Sequence, residues 1–343
     1  MALNVALLGA GNIGRAHLAA LSRSSLANLV GLFDLDRARA EQRAAEFNVP
    51  QIYASWPALL ADPQVQVVGI VIPPDLHRQF AIEALEAGKH VVSEKPFASD
   101  IAECDDMIAA SRRTGRRLFM VQNRIYSPAY EKLRELLLQD VIGTVFLCQT
   151  TGFEPPSIVS RSPWLASARG GNGVLMAQSV HPAYSLLWLL GAVEQVSCMF
   201  GGRKVVEMVY EDTAIVTLRF ASGIIGEMTA TFGLAHGPAD HAIIIFGSEG
   251  CLELHNQHGN PTHPQTLRAI SPKLYGDDQF HEVKLPPVES GGASFRPMWE
   301  DYLQAIETGG SARVSDVEGR AAVELIQAAR QAAELGRAVM LPL

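Results

Sequence analysis

The chain has 343 residues, 48% hydrophobic and 19% charged, with a formal net charge of −8. Single cores stop growing near roughly 250–300 residues, so two domains are expected. The acidic balance excludes nucleic acid and anionic membrane as main partners, although a helix N-terminus binds phosphate without net basicity.

LNVALLG at 3–9 predicts a buried strand ending in glycine, followed by a helix from Ile13 to about Ser22. LVGLFDLD (29–36) is a second strand, ARAEQRAAEF a helix, and VQVVGIVIPP (65–74) a third strand. FAIEALEAG (80–88) is a helix stopped by glycine, HVVSEKP (90–96) a strand, IAECDDMIAASRRTG (101–115) a helix and RLFMVQN (117–123) a strand. Strands that are continuously apolar and alternate with helices predict a doubly wound parallel sheet of Rossmann type over residues 1–123.

After Arg124 the texture changes. PAYEKLRELLLQD (128–140) is helical, and IGTVFLCQTTGF and PPSIVSRSPW follow. A glycine-rich approach then leads into a helix through about Leu190. VEQVSCMFGG, TAIVTLRFASG, GEMTATFG, HAIIIFGSEG and CLELHN predict successive strands of a mostly antiparallel sheet. VEGRAAVELIQAARQAAELG closes the chain as an amphipathic helix, and the stretch from about 256 to 297 is expected to be a mobile loop. The second domain is therefore placed at 124–343.

Cys104, Cys148, Cys198 and Cys251 are widely scattered, with no C-x-x-C spacing. A metal or redox site is not expected, and the default is a reducing compartment. MALNVALLGAG has no basic leader and no apolar run reaches the roughly 20 residues of a membrane span, so the expected location is the cytoplasm.

Gly9-Ala10-Gly11-Asn12-Ile13-Gly14 is a G-x-G-x-x-G that follows a strand and opens a helix, with Asp34 at the end of the second strand. That context is the dinucleotide fingerprint. Gly9 permits the turn, Gly11 the approach of a pyrophosphate, and Gly14 the packing of helix on strand. Asp34 is placed to accept from ribose hydroxyls, which favours NAD; Arg37 nearby keeps NADP as the alternative. Glu94-Lys95-Pro96 stands just past the fourth strand, on the sheet edge where ligands bind. A lysine there reads equally well as a solvated charge, and His181 at a helix start as a structural histidine bonded to backbone.

Taken together, GAGNIGRAH, PPDLH, AIEALEAGKHVVSEKP, NRIYSPAY, GGNGVLMAQSVH and the closing GRAAVELIQAA…GRAVMLP resemble the Gfo/Idh/MocA oxidoreductase family over nearly the whole chain. The resemblance implies an N-terminal Rossmann domain and a C-terminal α/β domain with an open, mostly antiparallel sheet. It also implies oligomers, a homodimer or homotetramer, assembled through that sheet. It implies catalysis by Lys95 and His181, and cofactor contacts from Pro73, His77 and Glu94 besides the glycine turn. Family members commonly carry Asp or Asn four residues before the histidine, and often Asp three after it; here those positions hold Ala177 and Tyr184.

A histidine moves a proton without a carboxylate partner, because its reference pKa of about 6.5 lies near working pH. Gln178, Tyr184 or a glutamate distant in sequence is expected to supply orienting hydrogen bonds. Trp164 is the best aromatic platform for a sugar ring, and Arg124, Tyr126, Arg169 and Asn172 lie in segments expected to face the substrate. The expected activity is NAD(H)-dependent hydride transfer to or from a sugar, cyclitol or similar polyhydroxylated substrate. The alternatives are an NAD-dependent glycoside hydrolase of the same fold and a catalytically impaired cofactor- or sugar-binding protein.

Overall fold

A computed structural model describes residues 1–343 apart from 168–172, 203, 237–239, 258–264 and 287–293. The chain divides into two compact units, Met1–Asn123 with Glu289–Arg320, and Arg124–Val288 with Ala321–Leu343.

In the first unit the strands are β1 (Leu3–Leu8), β2 (Ala27–Phe33), β3 (Val67–Ile70), β4 (His90–Ser93) and β5 (Leu118–Met120). They form an all-parallel sheet in the order β2-β1-β3-β4-β5. Helices α1 (Asn12–Leu21), α2 (Arg37–Phe47), α3 (Trp56–Ala61), α4 (His77–Glu86) and α5 (Ile101–Thr114) connect them. Local chemistry sets their ends: the Asp100 carboxylate accepts from Glu103 N at 2.8 Å to start α5, and Gly115 at φ +68° stops it. Strand order reverses between β1 and β3, the switch point at which ligands of open α/β sheets bind.

Two differences from the sequence expectation stand out here. The third strand is only Val67–Ile70, because Pro73 and Pro74 turn the chain into a 3-10 turn, Pro74–Leu76. More importantly, Glu289–Arg320 belongs to the first unit, where the sequence reading placed all of 124–343 in the second. The helix Phe295–Thr308 is the reason. Its apolar face (Phe295, Met298, Trp299, Tyr302) is buried. Tyr302 stacks on Phe119 at 4.7 Å and its hydroxyl donates to Met120 O at 2.6 Å. Burying rings of that size stabilises by roughly 2–3 kcal/mol each.

The second unit is built on a nine-stranded mixed sheet, β13-β12-β11-β10-β6-β9-β8-β7-β14, in which, among the described residues, only β6 and β9 pair in parallel. The strands are β6 (Val145–Phe153), β7 (Val193–Phe200), β8 (Thr213–Phe220), β9 (Ile225–Thr231), β10 (Asp240–Gly247), β11 (Gly250–Gln257), β12 (Gln265–Ile270), β13 (His281–Glu282) and β14 (Val339–Met340). Burial alternates along β8, so one sheet face is covered and the other open. The expected mobile loop at 256–297 is not one loop. Gln265–Ile270 pairs with β11 as a regular strand and Pro272–Tyr275 is a helical turn; 258–264 and 287–293 lie outside the described residues.

Candidate active site

The glycine turn is dictated by sterics. Gly9 has φ +103°, and a Cβ there would lie 2.0 Å from Val71 O, so only glycine fits. A Cβ on Gly14 would meet Gly9 O at 2.3 Å, which is how α1 packs so close to the turn. Gly11 differs: at φ −63°, a Cβ would meet nothing within 4 Å. Space therefore lies open above Gly11, at the start of a helix that no side chain caps. Unsatisfied first-turn N–H groups facing open space are an anion site. Asn12 begins that turn, and Ile13 beside it is 51% exposed.

Asp34 is nine-tenths buried and holds the turn in place, accepting from Ala10 N at 2.6 Å and Asp36 N at 2.8 Å. An ionised carboxylate has about four acceptor sites, so capacity for ribose hydroxyls remains. The expectation for Arg37 is corrected: its guanidinium pairs with Glu41 one turn on, at 2.8 Å, and Arg39 is the cation near Asp34, at 3.5 Å. The open turn at Gly11 and the spare acceptor capacity of Asp34 fit a dinucleotide.

At the carboxyl end of β4, Glu94 accepts from His17 Nε2 at 2.8 Å and from Lys95 N at 2.9 Å. Burial pushes the Glu94 carboxyl up, but the His17 hydrogen bond, the Lys95 charge and the Lys95 N–H together outweigh it. The carboxyl stays below its ordinary value. Lys95, beside it, is partly exposed and precedes a cis proline. Pro73 leads the neighbouring 3-10 turn. His77 was expected to touch cofactor; its ring is instead fully buried, with Nδ1 2.9 Å from Pro96 O and Nε2 2.8 Å from Ile72 O. It braces the β3 loop against the Glu-Lys-Pro loop.

In the second unit, Gly173 (φ +68°) lies where a Cβ would strike the Glu211 carboxylate at 2.1 Å. Glu211 then holds the next residues: its carboxylate accepts from Leu175 N at 3.2 Å and Arg330 Nη2 at 3.3 Å, and its carbonyl from Val174 N. A π-helical turn, Leu175–Ser179, follows and runs into the helix Val180–Leu190. Such turns re-aim side chains and occur frequently at functional sites. Gln178 lies on the π turn and His181 on the first turn of the helix, 8% exposed, with Ser185 Oγ donating to its carbonyl at 2.9 Å. Tyr184, by contrast, is buried in the unit's core.

The carboxylate missing from the sequence around His181 appears at a different histidine. His241 Nε2 lies 3.0 Å from Glu154 Oε1 and 2.8 Å from the Gln178 amide, and Arg124 Nη2 lies 3.2 Å from His241 Nδ1. Arginine only donates, so Nδ1 accepts, while Nε2 faces both Glu154 and the Gln178 amide nitrogen. Sequence reasoning named Arg124 and Gln178 but missed Glu154 and His241. Eighty-seven positions separate those two, and only the β6–β10 pairing joins them. Tyr126, which the reading paired with Arg124, is buried. Trp164 stands on the 3-10 turn Pro163–Ala166, partly exposed. Arg169 and Asn172 lie outside the described residues.

Burial pushes His77, His241 and His90 below the ordinary histidine value, His90 to about 4. The unfolded chain therefore binds more protons than the folded one as pH falls below about 6.5. Stability is complete above that pH and is lost on acidification. His255, raised by its hydrogen bond to Asp240, works the other way but stands against three. The unfolding midpoint is expected to fall between about pH 7 and pH 5; a constant or rising midpoint contradicts this.

Comparison with known proteins matches two consecutive stretches of the chain. Residues 3–123 match the Gfo/Idh/MocA model described as oxidoreductase family, NAD-binding Rossmann fold, and residues 134–341 match its C-terminal α/β domain. Myo-inositol 2-dehydrogenase of Thermotoga maritima is 25% identical over 99% of this chain and 98% of its own. Trans-1,2-dihydrobenzene-1,2-diol dehydrogenase of Mus musculus is 32% identical over 67% of this chain and 69% of its own. Among solved structures, a levoglucosan dehydrogenase in complex with NADH superposes with a TM-score of 0.89 at 23% identity, covering 100% of both chains.

Proposed function

Because the chain belongs to the Gfo/Idh/MocA family of oxidoreductases, whose N-terminal domain is an NAD-binding Rossmann fold, we propose that it moves a hydride between NAD(H) and a ring carbinol of a sugar, cyclitol or similar polyhydroxylated molecule. The observation that carries this reading is the open, uncapped glycine turn at Gly11 in the same unit as Lys95 on the sheet's carboxyl edge. The names of both curated relatives refer to hydroxylated rings, which supports the substrate class.

When bound, the nicotinamide gives or takes the hydride at C4. In our reading Lys95 Nζ donates a hydrogen bond to the reacting oxygen and stabilises developing alkoxide charge. His181 takes or returns the carbinol proton at a ring nitrogen. Ala177 stands where family members commonly carry Asp or Asn, so in our reading the proton transfer does not depend on a carboxylate at that position. Gln178, Glu154, His241 and Arg124 place donors and acceptors close together, suited to several hydroxyl groups. The Arg124 and Glu154 charges offset one another through His241, which suits an uncharged ligand.

Initial rates with NAD⁺ and NADP⁺ over a panel of sugars and cyclitols test the proposal. Wild type is expected to prefer NAD⁺, since a 2′-phosphate would face the Asp34 carboxylate. Asp34→Ser removes that repulsion and leaves Arg39, still paired with Asp36 at 3.2 Å, as the nearby cation, so the preference moves towards NADP⁺. An unchanged preference places the discrimination elsewhere.

Among the described residues no helix is long and apolar enough to cross a membrane, and the four cysteines are free. These fit our inference of a cytoplasmic location. Strand register puts Met199, Ile215 and Ile225 on the open sheet face, 76%, 46% and 52% exposed. Apolar exposure of that kind supports assembly through this face into a homodimer or homotetramer, which sedimentation reads directly.

A further inference from the structure

The first unit contains a buried chain of hydrogen bonds that ends at Lys95. Trp299 Nε1 donates to His17 Nδ1 at 2.9 Å, His17 Nε2 lies 2.8 Å from Glu94 Oε1, and Lys95 N donates to Glu94 Oε2 at 2.9 Å. Trp299 and His17 are both fully buried and Glu94 is nearly so. An indole N–H only donates, so Nδ1 of His17 must accept, and the ring's proton is confined to Nε2, where it meets Glu94. Trp299 thus chooses the histidine's tautomer. The other tautomer would set two lone pairs against each other at Glu94 Oε1.

The indole is itself held in one place. It packs over Gly69 of β3, where a Cβ would lie 3.2 Å from its ring, and it meets the His17 ring edge-on at 5.8 Å. Phe295 closes on His17 from the same helix, ring centroids 4.7 Å apart. His17 sits on α1, the helix whose uncapped start faces the open space above Gly11. One brace therefore joins the cofactor helix, the lysine loop and the late helix Phe295–Thr308.

We propose that Trp299 and His17 are positioning residues for Lys95: through Glu94 they fix the backbone from which the lysine reaches the reacting oxygen, and they couple it to the helix that receives the cofactor's phosphates. This inference rests on the catalytic role assigned to Lys95 above. The brace is built for orientation, and a misplacement of about 1 Å costs up to about a hundredfold in rate.

The test compares Trp299→Phe, His17→Leu and His17→Gln with wild type, using the panel sugar or cyclitol that wild type turns over fastest. NADH affinity is read separately by nicotinamide fluorescence. Trp299→Phe keeps the ring and removes the donor; His17→Gln keeps a donor near Nε2 and an acceptor for the indole. Trp299→Phe and His17→Leu are expected to lower kcat by about tenfold or more while NADH affinity changes less than about threefold. His17→Gln should recover most of the loss.

The titratable groups facing Glu94 are His17, Lys95 and His77. Without a settled donor from His17, Glu94 protonates at higher pH, so the acid limb of kcat/KM moves upward in Trp299→Phe. A merely structural loss would lower stability without moving that limb. Wild-type kcat and an unmoved acid limb in a folded Trp299→Phe overturn the proposal. Should that variant not fold, the isosteric Glu94→Gln carries the test, with wild-type kcat again overturning it. A wild type that binds NADH but turns over nothing in the panel overturns the Lys95 reading, and this inference with it.

Discussion

Replacing Lys95 or His181 with alanine is expected to lower kcat/KM by at least about 10²-fold, the lower end of what a positioned acid or base contributes. The two losses should differ in form. Lys95→Ala removes a donor whose bond strengthens as charge develops on the substrate oxygen, so kcat falls at every pH. His181→Ala removes the group assigned to take or return the carbinol proton, so its loss should change the shape of the pH profile. Ala177→Asp places a carboxylate four residues before His181 and is expected to move the pH dependence of kcat/KM upward. A variant that keeps near-wild-type turnover removes its residue from the mechanism.

A second pair separates fold from cofactor within one loop. Gly9→Ala puts a methyl 2.0 Å from Val71 O at φ +103° and should destabilise the protein itself, on the order of 3 kcal/mol or more. Gly11→Ala meets no protein atom within 4 Å and has an ordinary φ of −63°, so urea denaturation should find its stability unchanged. NADH binding should nevertheless weaken by about tenfold or more, because the methyl occupies the space the pyrophosphate needs. Equal NADH affinity in Gly11→Ala and wild type contradicts the placement of the phosphates. Equal stability in Gly9→Ala contradicts the steric argument.

The parts legible in the sequence were those written locally. The glycine turn, Asp34, the Glu-Lys-Pro loop and the strand–helix alternation lie within short windows, where period and spacing carry the signal. The family descriptions agree with that fold class. What could not be read was set by pairing across long separations. Glu154 and His241 meet because β6 and β10 are neighbours, and nothing near either residue announces the other. Trp299 reaches His17 across 282 positions, so helix Phe295–Thr308 was unassigned and its packing with the first unit could not be read. His77 shows a different limit. The resemblance placed it near the nicotinamide edge; the fold turns both its ring nitrogens inward to carbonyls.

The most direct test of the central claim is a thermal-shift titration of the purified chain with NAD⁺, NADH, NADP⁺ and NADPH, each alone and then with sugars and cyclitols. A ligand at 100 times its Kd adds about 2.7 kcal/mol of stability, which is read as a raised melting point. The account predicts that NADH stabilises more than NADPH, and that an uncharged polyol adds to it only when cofactor is present. If no nucleotide stabilises the protein at any concentration, the glycine turn is not a working cofactor site, and the roles given to Lys95 and His181 fall with it.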